Sequence, residues 1–334
     1  MNQEPSPQGI AMPKVVDLFL TNKFLCAFLA VMMLTSVYWF NMLFGNLRMI
    51  AFIFLLAGVM LHLAVPSLFA LVTLGGGSKF SLQAGGIAAF LLLILSSGSI
   101  YTVAVFMLLF VVLPTFSALT MQRKGVGQAA WLLALVLFFG VVFAMMVSAG
   151  AQNMEAFVNQ QFKPVFDEMI ANIPPEAKSD IVAMQGLQTM MVKVFPGFFV
   201  FGLWLIWWSG VVFARKLALR YAFYQGNADD ILSFALPKAL AFVLLLFMGF
   251  ANLASGNLQY IALAGVIVLA GLVAVQGVIV VHSWLKSRDM VNTIIVMYVM
   301  LFFWFGVVVI FALIGLLDIW FNFRRKYISA TGEK

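Results

Sequence analysis

A chain of 334 residues that is 64% hydrophobic and only 9% charged is no ordinary soluble domain. Soluble folds run near half apolar and a quarter charged, and they need those charges on their surface. With a mean hydropathy of +1.08, most segments must face lipid or other buried helices. The net charge of +7 does not point to nucleic acid, because the basic residues are scattered at the ends of apolar runs with no aromatic-interleaved stripe.

The single cysteine, Cys26, excludes an intramolecular disulfide and any multi-cysteine metal site, and it sits in an apolar run as a small packing residue. Residues 1–23 form a polar, Pro-containing tail. The run that follows has no small-residue cleavage site and is long enough to cross a bilayer, so it is expected to be a retained helix.

Nine apolar runs follow one another at 24–44, 49–75, 82–97, 100–121, 127–149, 194–214, 235–255, 259–285 and 292–318. They are apolar on all sides, which favours helices over the alternating strands of a barrel. The expected fold is therefore an all-α polytopic transmembrane bundle of about nine spans. It would divide into a first membrane half at 24–149, a polar segment at 150–192, a second half at 193–323 and a basic tail at 324–334. Gly75-Gly76-Gly77-Ser78-Lys79 has no phosphate-binding spacing around it and reads as a loop. The stretch Val65–Leu71 resembles Leu113–Leu119, each centred on a proline and followed by a basic connector, as in a weak parallel repeat.

Residues 150–192 are the only long stretch suited to water. They hold five of the twelve acidic residues, Glu155, Asp167, Glu168, Glu176 and Asp180. Met154, Phe157, Val158, Phe162, Val165, Phe166, Met169, Ile170 and Ile173 follow a helical period. Lys163-Pro164 is expected to kink or interrupt that helix. Pro174-Pro175-Glu176 looks like the start of a second, whose apolar face runs Ile181, Met184, Leu187, Met191. Two short amphipathic interfacial helices between spans five and six are the expectation.

Lys and Arg near the span ends set the orientation. With the N-terminus in the cytoplasm, Lys14, Lys23, Lys79, Arg123, Lys124, Arg215, Lys216, Arg220, Lys238, Lys286 and Arg288 lie inside and 150–192 lies outside. Nine crossings would then put Arg324, Arg325 and Lys326 outside, against the rule. Either the last run does not cross fully, or an earlier one is not a span, or the tail breaks the rule.

No catalytic constellation emerges: there is no Ser/His/Asp set, no HExxH and no Walker loop. No acid is expected deep in an apolar run, which disfavours a hydrolase or a carboxylate-driven pump; the chain is not expected to be an enzyme, and no cofactor or metal is implied. Asp229-Asp230 reads as a solvated or salt-bridged loop. Three polar residues inside apolar runs stand out, His62, Gln276 and His282. Each could contact a solute or could hold an interhelical hydrogen bond, worth about 0.6 kcal/mol on average in such bundles. Trp204, Trp207 and Trp208 share one helical face and suit a ligand ring, lipid or packing. The candidate ligand-binding residues are thus His62, Gln276, Trp204 and Trp208.

In the second half, FPGFFVFGLWLIWWSGVVFARKLALR, LPKALAFVLLL, VQGVIVVHSWLK and IGLLDIWFNFRRK resemble the bacterial YybS-like family, which carries the domain of unknown function numbered 2232. The resemblance runs from about Arg48 to Lys326. Its most specific points are Pro196, Pro237, Gln276-Gly277, Gly315, Asp318 and Arg324. Members look distantly similar to the substrate-binding membrane components of energy-coupling-factor vitamin transporters. That resemblance implies an inner-membrane protein with a small-molecule binding or transport role. The alternative is a non-transport scaffold or assembly factor docking partner proteins. The expected partners are the lipid bilayer, a small-molecule ligand and a membrane or cytoplasmic protein.

Overall fold

The computed structural model describes residues 12–44, 48–173, 178–224, 231–304 and 306–323. The expectations placed on Pro174-Pro175-Glu176, Asp229-Asp230 and Arg324-Arg325-Lys326 lie outside these residues. Every regular element among them is helical. The helices are α1 Lys14–Thr21, α2 Lys23–Leu34, α3 Ser36–Phe44, α4 Arg48–Leu95, α5 Ile100–Phe106, α6 Leu113–Lys124 and α7 Val126–Ala149. They continue with α8 Met154–Ala171, α9 Lys178–Arg220, α10 Lys238–Leu253, α11 Gly256–Lys286, α12 Val291–Phe303 and α13 Gly306–Phe321. A π-helical segment, Met107–Val112, joins α5 to α6.

Among the described residues five helical stretches, with α5, the π-helical segment and α6 taken as one, are long and apolar enough to cross a membrane, or up to seven if each bent pair counts as one span. By length and composition, the described residues reach seven of the nine expected spans at most. One of the five is Phe52–Leu95, although it folds back on itself. Its helix is broken at Gly77, where φ is +81° and ψ 168°, a conformation that suits a residue without Cβ. The Ser81 hydroxyl then lies 3.5 Å from the Phe69 carbonyl, whereas twelve residues of straight helix would separate them by about 18 Å. The glycine run is thus a one-residue break inside helix, not the loop expected from its composition.

The chain groups into two compact units, residues 1–133 with 205–229 and residues 134–204 with 230–334. The first is organised around α4, against which α2, α3 and α6 pack. Small residues make this close approach possible. Cys26, Ala27 and Ala30 are buried on α2, and a Cβ at Gly58 of α4 would sit 3.0 Å from the Val37 backbone. A buried hydroxyl trio stitches the fold-back to α6: Thr115 Oγ1 lies 3.2 Å from Thr73 Oγ1 and 2.9 Å from Ser81 Oγ. Residues 14–21, part of the tail in the sequence reading, form a helix bent by 105° from α2. Asn22 makes the break, its side chain accepting from the Phe24 and Leu25 N–H groups to cap α2.

The second unit is organised around α11, which packs most extensively on α13 and α10. Its face is built of Ala262, Ala264, Gly265, Gly271, Ala274 and Gly277, all buried or closely approached. The Phe247 ring lies over Gly265 and the Phe201 ring over Gly271. At Gly277 an added Cβ would overlap the Phe311 carbonyl, and at Gly315 it would overlap the Val273 carbonyl. The two backbones therefore touch with no side chain between them.

Three expectations are corrected here. α8 runs unbroken through Pro164. The second amphipathic stretch is not a separate short helix but the start of α9, a continuous helix of 43 residues that also contains the sixth apolar run. The ninth run is not one straight span: α12 and α13 are bent by 118° around Trp304, where the backbone turns extended.

Candidate functional site

The second unit carries a polar cavity of about 320 Å³ between the first turns of α8 and the middle of α9. Asn153, Glu155, Ala156, Asn159, Thr189 and Val192 line it. Local chemistry fixes each wall. Asn153 is the N-cap of α8, its Oδ1 accepting from the Glu155 N–H at 2.9 Å. The Met154 N–H, a second unpaired donor of that helix end, is taken by Asn257 Oδ1 at 2.9 Å from the start of α11. Asn159 Oδ1 accepts from Gln188 Nε2 at 2.8 Å, tying α8 to α9. The Thr189 hydroxyl donates to the Gln185 carbonyl at 3.0 Å.

The floor of the cavity depends on a proline. Pro196 has no N–H to give to the Val192 carbonyl one turn earlier, so α9 carries an orphan acceptor there. The buried Tyr260 hydroxyl of α11 donates to it at 2.7 Å. The helix therefore survives its proline, and Val192 is held in place below the polar walls. On the neighbouring face of α8 lies an apolar cavity of about 280 Å³, lined chiefly by Phe157, Phe162, Phe195, Pro196 and Phe199.

A second polar constellation sits deep in the same unit. Gln276 is 1% exposed and Asp318 is 2% exposed. The Gln276 Nε2 donates to Asp318 Oδ2 at 2.7 Å, and its Oε1 accepts from the Leu236 N–H at 2.9 Å. Leu236 immediately precedes Pro237, the N-cap of α10. One amide thus joins α11, α13 and the entry to α10. Of the residues singled out by family resemblance, Pro237, Gln276, Gly277, Gly315 and Asp318 meet at this junction. Pro196 lies apart, under Tyr260, and Arg324 lies outside the described residues. The burial of Asp318 overturns the expectation that no acid lies deep in an apolar run. It stood at the last position of the ninth run and read as a flank, but α13 continues to Phe321 and packs along α11.

The remaining sequence candidates have internal partners. His62, in the first unit, directs Nδ1 to the Leu34 carbonyl at 2.8 Å, in the last turn of α2 where carbonyls lack helical donors. A carbonyl only accepts, so Nδ1 carries the proton. The ring also stands edge-on to Phe110 at 5.3 Å. Trp204 is fully buried and stacks on Phe201 at 5.6 Å; Trp208 is buried as well. Trp207 has the most specific role of the three. Its indole N–H donates to the Leu109 carbonyl at 2.6 Å, which the π-helical segment would direct to residue 114, a proline. His282 Nδ1 lies 3.1 Å from the Tyr298 hydroxyl.

None of His62, Gln276, Trp204 or Trp208 lines the polar cavity. Apart from Glu155, its residues do not stand out in the sequence, because Asn153, Asn159 and Thr189 look like ordinary polar positions of an amphipathic helix. The signal that was present is the cluster Asn153-Met154-Glu155, a capping residue followed by an acid in the first turn.

Comparison with known proteins gives one match. The model of a family described as "Predicted membrane protein (DUF2232)" matches residues 42–319, well over half of the chain. The match begins at the end of α3, so the first apolar run precedes it. No curated protein and no solved structure matches. Helical architecture, apolar helices of spanning length and the family match agree, and the chain belongs to the DUF2232 family of predicted membrane proteins.

Proposed function

We propose that this chain is a non-catalytic, multi-pass protein of the bacterial inner membrane that binds a small solute at its extracytoplasmic face, as a substrate-binding or transport component. The cavity between α8 and α9 carries this reading. At about 320 Å³ it falls at the small end of ligand pockets, which run ~300–1,000 Å³. It is lined by convergent amide, hydroxyl and carboxylate groups rather than by the apolar texture of the rest of the chain. The distribution of Lys and Arg supports the orientation, with the N-terminus cytoplasmic and the α8 segment outside. In this reading Gln276 and Asp318 hold the bundle that supports the cavity.

The test is recovery of the solute. The protein is extracted in mild detergent and its bound small molecules are identified by native mass spectrometry. A solute should co-purify with the parent chain and be lost from Asn159→Leu combined with Thr189→Val. Retention of the same solute by that double variant would refute the cavity as its site.

A scaffold role is the second reading, and a specific observation favours it. Val182, Leu187 and Met190, on the first half of α9, are all strongly exposed beyond the stretch needed to cross ~30 Å of hydrocarbon. If they dock a partner protein, deleting 154–191 will abolish its co-purification while the rest of the chain still inserts.

A further inference from the structure

We infer that the solute of the α8–α9 cavity is a small protonated amine that carries oxygen acceptors on neighbouring carbons. This rests on the small-molecule reading above and gives it a ligand class. The inference follows from which hydrogen-bonding valences of the lining are already spent.

Asn159 Oδ1 is committed to Gln188 and Asn153 Oδ1 to the Glu155 N–H. Each amide therefore has its NH2 end left to offer, and an amide nitrogen only donates. The Thr189 proton goes to the Gln185 carbonyl, so its oxygen presents lone pairs alone. Glu155 presents carboxylate oxygens, which accept. The cavity thus offers two neutral donors, one hydroxyl acceptor and one anionic acceptor, and Glu155 is the only charged residue in its wall.

Among the described residues no basic side chain forms an ion pair with Glu155, and the Lys163–Asp167 pair, at 2.8 Å, lies on the far half of α8. The positive end of the helix dipole would by itself suit an acid in the first turn. It would not account for a cavity beside that acid whose two asparagines are pinned by their oxygens. A bare metal ion is a poor occupant, since no group of three or more His, Cys, Asp or Glu gathers among the described residues. An anion would face the carboxylate with no cation in the wall. A neutral polyol would satisfy the amides but leave the carboxylate without a counter-charge. An ammonium group answers both acceptors, Glu155 and Thr189. Hydroxyl or carbonyl oxygens two or three bonds away answer the Asn153 and Asn159 donors. Charge-assisted hydrogen bonds of this kind are stronger than neutral ones, so Glu155 should dominate the affinity.

Full-length protein in nanodiscs of zwitterionic lipid tests the inference by titration calorimetry. The probes are ethanolamine, 2-amino-1,3-propanediol and glycinamide, with ethylene glycol, N-acetylethanolamine and acetate as their uncharged or anionic counterparts. At least one amine should bind, and the three counterparts should not. Glu155→Gln should weaken the amine by about tenfold or more, and Glu155→Asp should retain most of the binding, which separates lost charge from lost folding. Binding of ethylene glycol as tight as that of ethanolamine, an unchanged affinity in Glu155→Gln, or no binding of any amine would overturn the inference. Failure of the broader reading looks different. A neutral or anionic solute recovered from membranes and lost in the Asn159 and Thr189 double variant would leave that reading standing while removing the amine. Recovery of no solute together with no binding of any probe would remove both.

Discussion

Tyr260 and Trp207 perform the same task on different helices. Each gives a polar hydrogen to a carbonyl that a proline has left without a donor, Val192 below Pro196 and Leu109 below Pro114. An unsatisfied carbonyl in hydrocarbon costs more than the bond returns, so the loss should be visible when the donor is removed. Tyr260→Phe is expected to destabilise the protein by about 1–2 kcal/mol. In a Pro196→Ala background the restored N–H can serve Val192, and the same substitution should cost clearly less. Thermal unfolding of the four variants in one detergent measures the difference, and equal costs in both backgrounds would refute the proline link. Single residues were the least legible part of the sequence. Proline positions were plain, but which aromatic would answer each one depends on helices 64 residues apart in the chain, as from Pro196 to Tyr260. Gln276 was conspicuous as a polar residue in an apolar run. Its partner Asp318 was not, because a carboxylate at the end of a run looks the same whether it meets water or another helix.

At the scale of elements, hydrophobic runs located helices well and their breaks poorly. All nine runs overlap helices that extend past them or stop near the same residues, since lipid-compatible composition and helix formation go together. Breaks depend on one or two backbone angles. Gly77 was hidden among three glycines, and only one of them leaves the helix. The 118° bend falls between Trp304 and Gly306, and a lone glycine inside an apolar run does not announce a bend of that size. The α11–α13 contact is the most demanding element pairing. Backbone meets backbone at Gly277 and Gly315, so a methyl group at either position has no space to enter. Gly277→Ala should cost about 1–3 kcal/mol, well beyond the effect of Gly202→Ala on α9, where an added Cβ meets nothing within 4 Å. Similar melting temperatures for the two variants would show that the helices can separate without penalty.

For the whole molecule, composition settled the class and the basic residues suggested the orientation, while the number of crossings was beyond both. The bend between α12 and α13 bears on that number. If the pair enters and leaves on one side, the tail carrying Arg324, Arg325 and Lys326 returns to the side of Lys286 and Arg288, and the positive-inside rule is kept. A reporter fused after Lys334 that works only in the cytoplasm should then be active, as should the same reporter at the N-terminus. An inactive C-terminal fusion beside an active N-terminal one would mean that the last pair crosses. Cys26 is fully buried, so substituting it by alanine offers a cysteine-free background for mapping the same ends by labelling.

The bond between Tyr260 and Val192 also sets the register of one helix against another. A proline leaves a gap at one height only, so the bond indexes α9 to α11 at that height, in line with the Phe201 ring over Gly271. Sliding α9 by a single residue would strand a phenol and a carbonyl together. Val192 is at once the indexed residue and the floor of the cavity. Any solute seated there rests on the index mark itself. A shift of α9 along α11 would therefore have to break the bond that holds this part of the cavity wall.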